Sequence, residues 1–599
     1  MHQLMPRKQL LLIISLILTL VAAATGFWMW QRYQQQKLWG YSPLALLLCA
    51  WAAIVLFRAW RKEKKAPDEQ HWKRLVLSTL SGILLGLGFP GWLPFPLVLF
   101  VAFVPLLVLE RDLNENGGTR AQAFTYSYHT FILWNILSTY WVTNTALIAG
   151  LFAIMVNSVF MSMVFVAAFQ SRKIMPKLQY APIIVYWLSF EYLHLNWELT
   201  WPWLTLGNGF AQWPFAVQWY EYTGVFGGSL WVWITNVLVF KGWLAFQEKR
   251  QWSRKWLLQT GALIALPIAL SLVLYFAYKE NGPNANIVIV QPNYEPHYEK
   301  FDIPESIQVE RFLQLTQQQV DSLTDYIVYP ETSFGLVEVD NMNDYRTFNR
   351  LRDFLALYPN TRLITGIDAY HIFEPGEPHT PFVRERRNSS GQSMFYEIFN
   401  GAVELSGNPQ DNIAVYKKSR LVPGPEIFPF RKVLFFLKPI VEKLEGTTAG
   451  LATQPERSVF SSGKTQIGPA ICYESVFGEY FTGYIRKGAK AVFIMTNDGW
   501  WDNTAGHRQH LWYASLRAIE TRRAIARSAN TGISAFINQR GDISQATAYG
   551  VQAAIKGNIL LNDKITFYVA WGDMIARIAF FMTLLFLINT VVRVRRGKP

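Results

Sequence analysis

Three polar side chains stand at positions where hydropathy alone does not require them. Glu331 and Cys472 each follow a short apolar run, and Lys418 lies eight residues before Glu426. A thiolate can attack an acyl carbonyl, a carboxylate can accept the thiol proton, and an ammonium can stabilise the developing oxyanion. Together these residues predict an acyl-transfer site, although their spacing in the sequence does not by itself bring them together in space.

Taken singly, each of these side chains also has a structural interpretation. A lone cysteine after a strand is more often a small buried hydrophobe than a nucleophile. A lone glutamate or lysine at a strand end is usually solvated. The only other cysteine is Cys49, in an apolar run, so the chain has no disulfide framework, and no paired Cys or Cys/His pattern indicates zinc.

The elements that would position these residues lie between about 284 and 560. β-Branched or apolar runs predict six strands, at Ile287–Val290, Tyr326–Tyr329, Leu363–Gly366, Ile467–Ile471, Ala491–Met495 and Ile533–Ile537. Helical patterns occupy residues 304–322 and 507–527, and the segment 371–400 is expected to be an exposed excursion. Strands alternating with helices are typical of a layered α/β domain.

The rest of the chain has the composition of a membrane protein. Of its 599 residues, 51% are hydrophobic and 16% are charged, whereas soluble domains usually carry about 25% charge. Ten apolar runs are candidate spans, at 9–30, 42–60, 75–90, 92–109, 122–145, 147–170, 179–196, 223–245, 256–278 and 568–592.

The net charge of +14 lies largely between these runs. Seven Lys or Arg residues occur between Arg58 and Arg74, and none occurs in 191–222. With ten spans, every strongly basic segment falls on one side, which the positive-inside rule assigns to the cytoplasm. Residues 279–567 are then expected outside the cytoplasm. Nucleic-acid binding is not expected, because the charge forms no patch on a soluble face.

The first run allows two interpretations. Met1–Lys8 is basic, Leu10–Ala23 is apolar, and Ala22–Ala24 could form a signal-peptidase site. The run continues through Trp28 and Trp30, which favours an uncleaved helix with an interfacial aromatic end.

Other polar and aromatic residues have competing interpretations. Glu191 lies in a predicted span, where an acid is a candidate functional group, yet it could lie at the interface. His507 and His510 are three apart on a helix, but no further metal ligand accompanies them. Trp213, Trp219 and Tyr220 are interpreted as an interfacial belt.

The three chemical motifs occur in the order of the nitrilase superfamily with its Glu-Lys-Cys triad. A nitrilase-like segment behind several spans, with one helix after it, resembles the apolipoprotein N-acyltransferases over roughly 75–592. The motifs that carry this resemblance are Tyr329-Pro-Glu-Thr-Ser333, Lys418 to Pro423 with Glu426, Ala470-Ile-Cys-Tyr-Glu474, Thr496-Asn-Asp-Gly-Trp500, Gln509-His510, Arg517-Ala-Ile-Glu520, Arg527-Ser-Ala-Asn-Thr-Gly532 and Trp201-Pro-Trp-Leu-Thr-Leu-Gly207.

The resemblance implies a role for each matched residue. Glu331 corresponds to the general base, Lys418 to the stabiliser of thiolate and oxyanion, and Cys472 to the nucleophile. Lys417 is one residue off the family spacing. The residues expected to support the site are Glu426, Tyr473 and Glu474, and Phe301 stands where the family has a substrate-binding tryptophan.

Two departures from the family pattern concern the loop before Glu426 and the N-terminus. Pro423-Gly424-Pro425 replaces the family's Pro-Phe-Gly, which changes the expected geometry of that loop. Two N-terminal helices, within 9–60, extend beyond the usual eight spans, and their role is not apparent from the sequence.

The resemblance also implies the reaction and its partners. The expected donor is a phospholipid, phosphatidylethanolamine in particular, and the expected acceptor is the S-diacylglyceryl-cysteine of an apolipoprotein. No metal or cofactor is expected, and no Gly-rich nucleotide motif appears. A membrane-tethered nitrilase-type amidase and a non-catalytic lipid-binding scaffold are the alternatives.

The predicted architecture is a polytopic α-helical membrane domain with an extracytoplasmic nitrilase-like αββα sandwich. The expected divisions are two extra helices and a basic loop in 1–74, a multi-span domain in 75–278, a catalytic domain in 279–565, and a final helix with a basic tail in 566–599. The expected location is the bacterial inner membrane, with the catalytic domain in the periplasm.

Overall fold

A computed structural model describes residues 7–65, 68–387, 391–431, 433, 436 and 449–596. Its first part is helical. The helices are α1 Arg7–Gln34, α2 Ser42–Lys65, α3 Glu69–Gly88, α4 Leu99–Ala102, α5 Val104–Glu115, α6 Arg120–Thr139, α7 Val142–Thr145, α8 Leu147–Ile174, α9 Ala181–Asn196, α10 Tyr220–Thr223, α11 Val225–Lys249 and α12 Arg254–Ala277.

Among the described residues, six helices are long and apolar enough to cross a membrane, namely α1, α2, α8, α11, α12 and the C-terminal α18 (Met574–Arg595). Of the other predicted spans, 75–90 lies in the continuous 20-residue α3 and 179–196 in the 16-residue α9, and the remaining two are interrupted. The run 92–109 is divided between a 3₁₀ turn, α4 and α5, because Pro96 and Pro105 lie in the first two positions of new helical segments. The run 122–145 likewise ends at Thr139 and resumes in α7.

The second part contains two β-sheets. Its strands are β1 Asn284–Gln291, β2 Tyr326–Val328, β3 Phe334–Glu338, β4 Arg362–Ile372, β5 Arg384–Arg387, β6 Ser393–Leu405, β7 Ala414–Lys417, β8 Ile467–Ile471, β9 Ala491–Thr496, β10 Ala524–Ala529, β11 Ala535–Ile537, β12 Ile543–Ser544 and β13 Ala553–Leu560. One sheet has the order β13-β1-β2-β4-β6-β5, with β3 beside β4 and β7 beside β6. The other has the order β12-β11-β10-β9-β8.

The two sheets pack face to face, and helices cover their outer faces. Ile287 and Ile289 of β1 lie in the core between the sheets. Val288 and Val290 point the other way, into a second core with α13 (Glu305–Gln317) and α14 (Arg346–Leu355). Helices α15 (Gly478–Arg486) and α16 (Ala505–Thr521) pack against the second sheet. Burial on both faces explains why these strands are continuous apolar runs, and the predicted αββα sandwich is confirmed.

Two predicted elements are wrong in extent. The helix expected over 507–527 ends at Thr521, because Arg522 takes a left-handed conformation with φ of 50° and the chain enters strand β10. The segment 371–400 is not merely an exposed excursion, since it holds the end of β4, β5 and the start of β6, which pair as antiparallel strands. Residues 388–390 lie outside the described residues.

The sandwich rests directly on the helical part. Gln509 of α16 donates from Nε2 to the Pro90 and Ser138 carbonyls at 2.7 and 3.0 Å. The short helix α17 (Phe567–Trp571) leads into α18, which packs against α9. The membrane part therefore contacts the sandwich through its connecting loops as well as through the final helix.

Two candidates in the helical part have structural partners. Tyr220 is buried and donates to the Gly207 carbonyl at 2.8 Å, so the interfacial-belt interpretation is wrong for this residue. Glu191 is also buried, and its Oε1 accepts from Trp187 Nε1 and from the Leu206 backbone N–H, both at 2.9 Å. Glu191 thereby fixes the loop that follows Trp201.

Candidate active site

The structure brings the three predicted catalytic side chains to one place between the sheets. Glu331 follows β2 and Lys418 follows β7, both in the larger sheet. Cys472 follows β8, the edge strand of the smaller sheet. Since the sheets face each other, the strand ends direct all three residues into the same space.

The lysine is held between two carboxylates. Lys418 Nζ lies 3.0 Å from Glu331 Oε1 and 2.7 Å from Glu426 Oε1. The lysine side chain is only 1% exposed. Burial alone would lower the pKa of Lys418, but Glu331 and Glu426 outweigh it and raise this pKa well above its ordinary value. Lys418 is therefore a permanent positive charge in the site.

The Glu331 carboxylate is oriented by donors on both oxygens. Oε1 accepts from Asn400 Nδ2 at 2.7 Å as well as from Lys418. Oε2 accepts from the Asn497 backbone N–H at 3.2 Å. These bonds fix the carboxylate plane, which is a requirement for a general base that must meet a proton in one direction.

Cys472 lies in a strained and nearly enclosed position. Its φ is 46°, in the left-handed region that non-glycine residues rarely adopt, and the residue is 9% exposed. Burial, followed by the negative charge of Glu331, raises the pKa of the Cys472 thiol well above its ordinary value, and Lys418 only partly offsets this. The resting Cys472 side chain is thus a neutral thiol.

The neighbouring lysine has a different environment. Lys417 Nζ pairs with Glu397 Oε1 at 2.6 Å and lies 4.6 Å from the centre of the Phe399 ring. Consecutive residues of an extended chain point to opposite faces, so Lys417 and Lys418 reach different carboxylates. Of the two lysines, only Lys418 contacts Glu331.

The Pro423-Gly424-Pro425 loop folds Glu426 back onto Lys418. The Val422 N–H donates to Glu426 Oε2 at 2.7 Å, and the Glu426 N–H donates to the Val422 carbonyl at 3.1 Å. Gly424 has a φ of 100°, which a residue with a side chain would rarely adopt. The altered loop therefore still places a second carboxylate beside the lysine.

Glu474 connects the loops that carry the lysine and the cysteine. Its oxygens accept from the hydroxyls of Tyr416, Tyr480 and Tyr484, at 2.7, 2.6 and 2.9 Å. They also accept from the backbone N–H groups of Ser419 and Ile471, at 2.7 and 2.8 Å. Because Ser419 follows Lys418 and Ile471 precedes Cys472, one buried carboxylate sets the spacing between the two.

Tyr473 anchors the Cys472 loop to the helical part. Its hydroxyl donates to the Thr200 carbonyl at 3.0 Å, and its ring lies 6.4 Å from that of Trp203. Phe301, in contrast, is not brought into the buried cluster. It is 68% exposed, and its ring lies 5.6 Å from Lys300 Nζ.

A further buried network, not predicted from the sequence, contacts the backbone of Cys472. Asp498 pairs with His510 Nδ1 at 2.9 Å and with Arg527 at 2.5 Å. Burial alone would raise the pKa of Asp498, but Arg527 and His510 hold it below its usual range. His510 Nε2 lies 3.1 Å from the Cys472 carbonyl. All three residues fall within motifs of the resemblance, which was the signal available for finding them.

A second lysine, also missed from the sequence, lies beside Glu331. Lys300 is buried and donates to Thr332 Oγ1 at 2.6 Å. Burial lowers the pKa of Lys300, and the charges of Asp368 and Glu331 oppose this. Burial raises the pKa of Asp368 to about 6, with Lys300 acting in the opposite direction. Two cations, Lys300 and Lys418, and two further carboxylates, Glu331 and Glu426, therefore interact electrostatically with Asp368.

Comparison with known families matches both parts of the chain. Residues 81–238 match the apolipoprotein N-acyltransferase N-terminal domain, and residues 382–555 match the carbon-nitrogen hydrolase domain. An apolipoprotein N-acyltransferase of Chlorobaculum tepidum is 29% identical over 84% of this chain and 94% of its own. That of Geobacter metallireducens is 25% identical over 84% of this chain and 92% of its own. Among solved structures, an amidase from Nesterenkonia sp. is 16% identical over 48% of this chain and 94% of its own, with a TM-score of 0.32.

The αββα sandwich, the carbon-nitrogen hydrolase match and the long apolar helices define a membrane protein that carries a carbon-nitrogen hydrolase domain. Within that class the chain is a relative of the apolipoprotein N-acyltransferases, whose N-terminal domain it carries in front of its sandwich. The family match begins at residue 81, after helices α1 and α2.

Proposed function

We propose that this protein moves a fatty acyl chain from a phospholipid to an apolipoprotein through a thioester on Cys472. The acceptor is the α-amine of the N-terminal S-diacylglyceryl-cysteine, and phosphatidylethanolamine is the proposed donor. The observation that most supports this proposal is the Lys418 ammonium, held between Glu331 and Glu426 and facing a neutral thiol.

The first step forms the acyl-enzyme. Glu331 takes the proton of the Cys472 thiol as the sulfur attacks the ester carbonyl of the phospholipid, and a C–S bond forms. The carbonyl oxygen becomes an oxyanion, which the Lys418 ammonium stabilises. When this intermediate collapses, the ester C–O bond breaks, the lysophospholipid oxygen takes the proton from Glu331, and a thioester remains.

The second step transfers the acyl chain to nitrogen. The α-amine attacks the thioester carbonyl, Glu331 accepts the amine proton, and a C–N bond forms through a second oxyanion near Lys418. The C–S bond then breaks, and the leaving sulfur regains a proton from Glu331. The products are a triacylated lipoprotein and free Cys472. An ester exchanged for an amide through a thioester requires no nucleotide.

The helical part supports a lipid substrate. Both proposed substrates carry acyl chains that remain in the bilayer, and the nucleophile loop is bonded to the helical part through Tyr473 and Thr200. We propose that the chain lies in the bacterial inner membrane with residues 279–565 in the periplasm. A reporter fused near residue 375 should then be active only outside the cytoplasm, and one at residue 66 only inside it.

The function is tested by incubating the purified full chain with a phospholipid labelled in its acyl chain. The proposal predicts a hydroxylamine-sensitive acyl-enzyme at Cys472 that passes its label to a diacylated lipopeptide. Release of labelled free acid without transfer would instead indicate an amidase that uses water. Absence of any acyl-enzyme would indicate a lipid-binding scaffold. Cys472→Ala provides the control that cannot form the thioester.

A further inference from the structure

The loop between α1 and α2, residues 35–41, lies against the catalytic sandwich. The Gly40 backbone N–H donates to Asp502 Oδ2 at 2.7 Å. Arg508 of α16 donates from Nη2 to the Tyr41 hydroxyl at 2.9 Å. This helix pair precedes the family match, which begins at residue 81. The end of α1 and the start of α2 therefore lie on the side of the helical part that contacts the sandwich.

An open cavity of about 730 Å³ lies between this loop and the sandwich. It is a wide groove, open along most of its length, and not an enclosed pocket. Most of the residues around it belong to α1, α2 and their loop, among them Trp28, Arg32 and Lys37, and Asp502 belongs to the sandwich.

The cavity carries two cations, Arg32 and Lys37, that form no ion pair with any residue that the structure describes. Arg32 donates from Nε to the Leu38 carbonyl at 2.6 Å, and its guanidinium lies 4.9 Å from the Trp28 ring centre. Lys37 is exposed at the cavity rim. Within the described part of the chain, no carboxylate lies within 4.0 Å of either cation. Asp502 also lines the cavity, and its oxygens accept the backbone N–H groups of Gly40 and Asn503.

The surface beside the cavity is suited to a membrane interface. At the end of α1, Phe27, Trp28, Trp30 and Tyr33 are all exposed. Aromatic side chains of this kind concentrate at the level of lipid headgroups. Earlier turns of α1 expose aliphatic side chains such as Leu20. An anion in the cavity could therefore belong to a molecule whose apolar tails run along α1.

We propose that this cavity binds the phosphate of a membrane glycerophospholipid. Arg32 and Lys37 contact the phosphate oxygens, and the acyl chains lie against the exposed face of α1. Arginine and lysine are the usual partners of phosphate groups, and the aromatic rim gives the headgroup an amphipathic boundary. This inference does not rest on the proposed acyl transfer, because binding here needs no reactive thiol.

The cavity is also connected to the nucleophile by direct contacts. Asp502 follows Trp501, whose ring centre lies 5.5 Å from that of His510. His510 in turn lies 3.1 Å from the Cys472 carbonyl. Asn144 donates to the carbonyls of both Gly40 and Trp501, at 3.1 and 3.2 Å. The Asp502 side of the cavity is therefore linked to the Cys472 loop through Trp501 and His510.

The experiment uses the full chain with Cys472→Ala, so that no lipid is consumed. Phosphatidylethanolamine with a photoactivatable diazirine in its headgroup should crosslink to a peptide between Trp28 and Ala45. The double substitution Arg32→Gln/Lys37→Gln should weaken that labelling at least tenfold. The matched control is Arg58→Gln/Arg61→Gln, which removes the same charge from exposed positions at the other end of α2 and should leave the labelling unchanged.

Three outcomes would overturn the proposal. One is crosslinking confined to the sandwich, and another is equal loss of labelling in the two double variants. The third is displacement of the lipid by inorganic phosphate at concentrations matching those of the lipid, which would assign the cavity to a free anion. Diacylglycerol, which lacks the phosphate, should not compete. If the Arg32→Gln/Lys37→Gln protein fails to fold, the position of the crosslink in the parent chain decides.

Discussion

The two sides of the Cys472 loop each contain a buried glutamate, but their partners differ. Glu331, on one side, is paired with the Lys418 ammonium and shares it with Glu426. Glu474, on the other side, accepts hydrogen bonds from three tyrosine hydroxyls and from backbone N–H groups. Both carboxylates are satisfied, yet only the first has a charged partner that also faces the sulfur.

This difference predicts which substitutions impair the proposed reaction and which impair the structure of the site. A carboxylate surrounded by neutral donors uses its oxygens to accept their hydrogen bonds. Loss of its charge would leave several of these buried donors unpaired. A carboxylate beside a lysine can gain a proton while the lysine remains bonded to a second acid, as Lys418 does with Glu426. We therefore expect substitutions on the Glu331 side to affect chemistry and those on the Glu474 side to affect structure.

The largest expected effect is that of Lys418→Ala. The substitution removes the charge beside the developing oxyanion, which is worth about 3 kcal/mol or more for comparable donors, a loss of at least about 10²-fold in rate. Lys417→Ala is the matched control, because the Lys417 ammonium pairs with Glu397 instead. This substitution should change the rate only slightly. The measurement is acyl-enzyme formation per amount of folded protein. Equal losses in the two variants would remove Lys418 from its proposed role.

The next effect tests the supporting side. Glu474→Gln replaces an acceptor of five strong hydrogen bonds by an amide that cannot accept them all, and each buried donor left unpaired costs about 1–3 kcal/mol. The Tm of the full chain in detergent should fall by several degrees. Acylation should fall as well, because the Lys418 and Cys472 loops lose their common anchor.

Glu331→Gln is the companion variant for this comparison. It should lower acylation strongly with a smaller change in Tm, since Lys418 keeps its bond to Glu426. A larger fall in Tm for Glu331→Gln than for Glu474→Gln would contradict the division of the site into reactive and supporting sides.

A more modest effect concerns the thiol itself. The Glu331 charge contributes to the raised pKa of Cys472, and Lys418 opposes it. Glu331→Gln should therefore lower this thiol pKa, and a decrease of one unit gives about tenfold more thiolate at a pH below the pKa. Alkylation of Cys472 by the uncharged reagent iodoacetamide should become faster and reach its plateau at a lower pH, although acyl transfer is impaired. Slower alkylation in this variant would show that Glu331 does not raise the thiol pKa.

The sequence allowed six of the strands to be predicted, β1, β2, β4, β8, β9 and β11, because they are apolar runs that end near Pro, Gly or Asn. The other strands of the sandwich were not predicted. The sequence also indicated which residues follow the six predicted strands. It did not predict Asn400 or Asp368, which are register partners across β4 and β6. Their neighbourhood depends on the pairing of distant strands, and the Pro- and Arg-rich composition of 371–400 hid that pairing. The end of α16 was also missed, because the left-handed conformation of Arg522 has no local sequence signal.

The smallest expected effect comes from Asp368, on the reactive side of the comparison. Burial raises its pKa from 3.8 to about 6 in the folded chain. The protonated form is thus favoured by folding, so this contribution to stability is complete below the unfolded value and is lost as the pH rises through about 6. Asp368→Asn mimics the protonated acid and should raise the Tm at pH 8 relative to the parent chain, by an amount equivalent to about 1 kcal/mol after allowance for its partial exposure. At pH 4 the two proteins should have nearly equal Tm values.

Asp353→Asn, an exposed change on α14, is the control and should not alter the difference in Tm between the two pH values. If Asp368→Asn lowers the Tm at pH 8, the ionised carboxylate is needed beside Lys300, and the reactive side of the site is held together by that pair as firmly as the supporting side is held by Glu474.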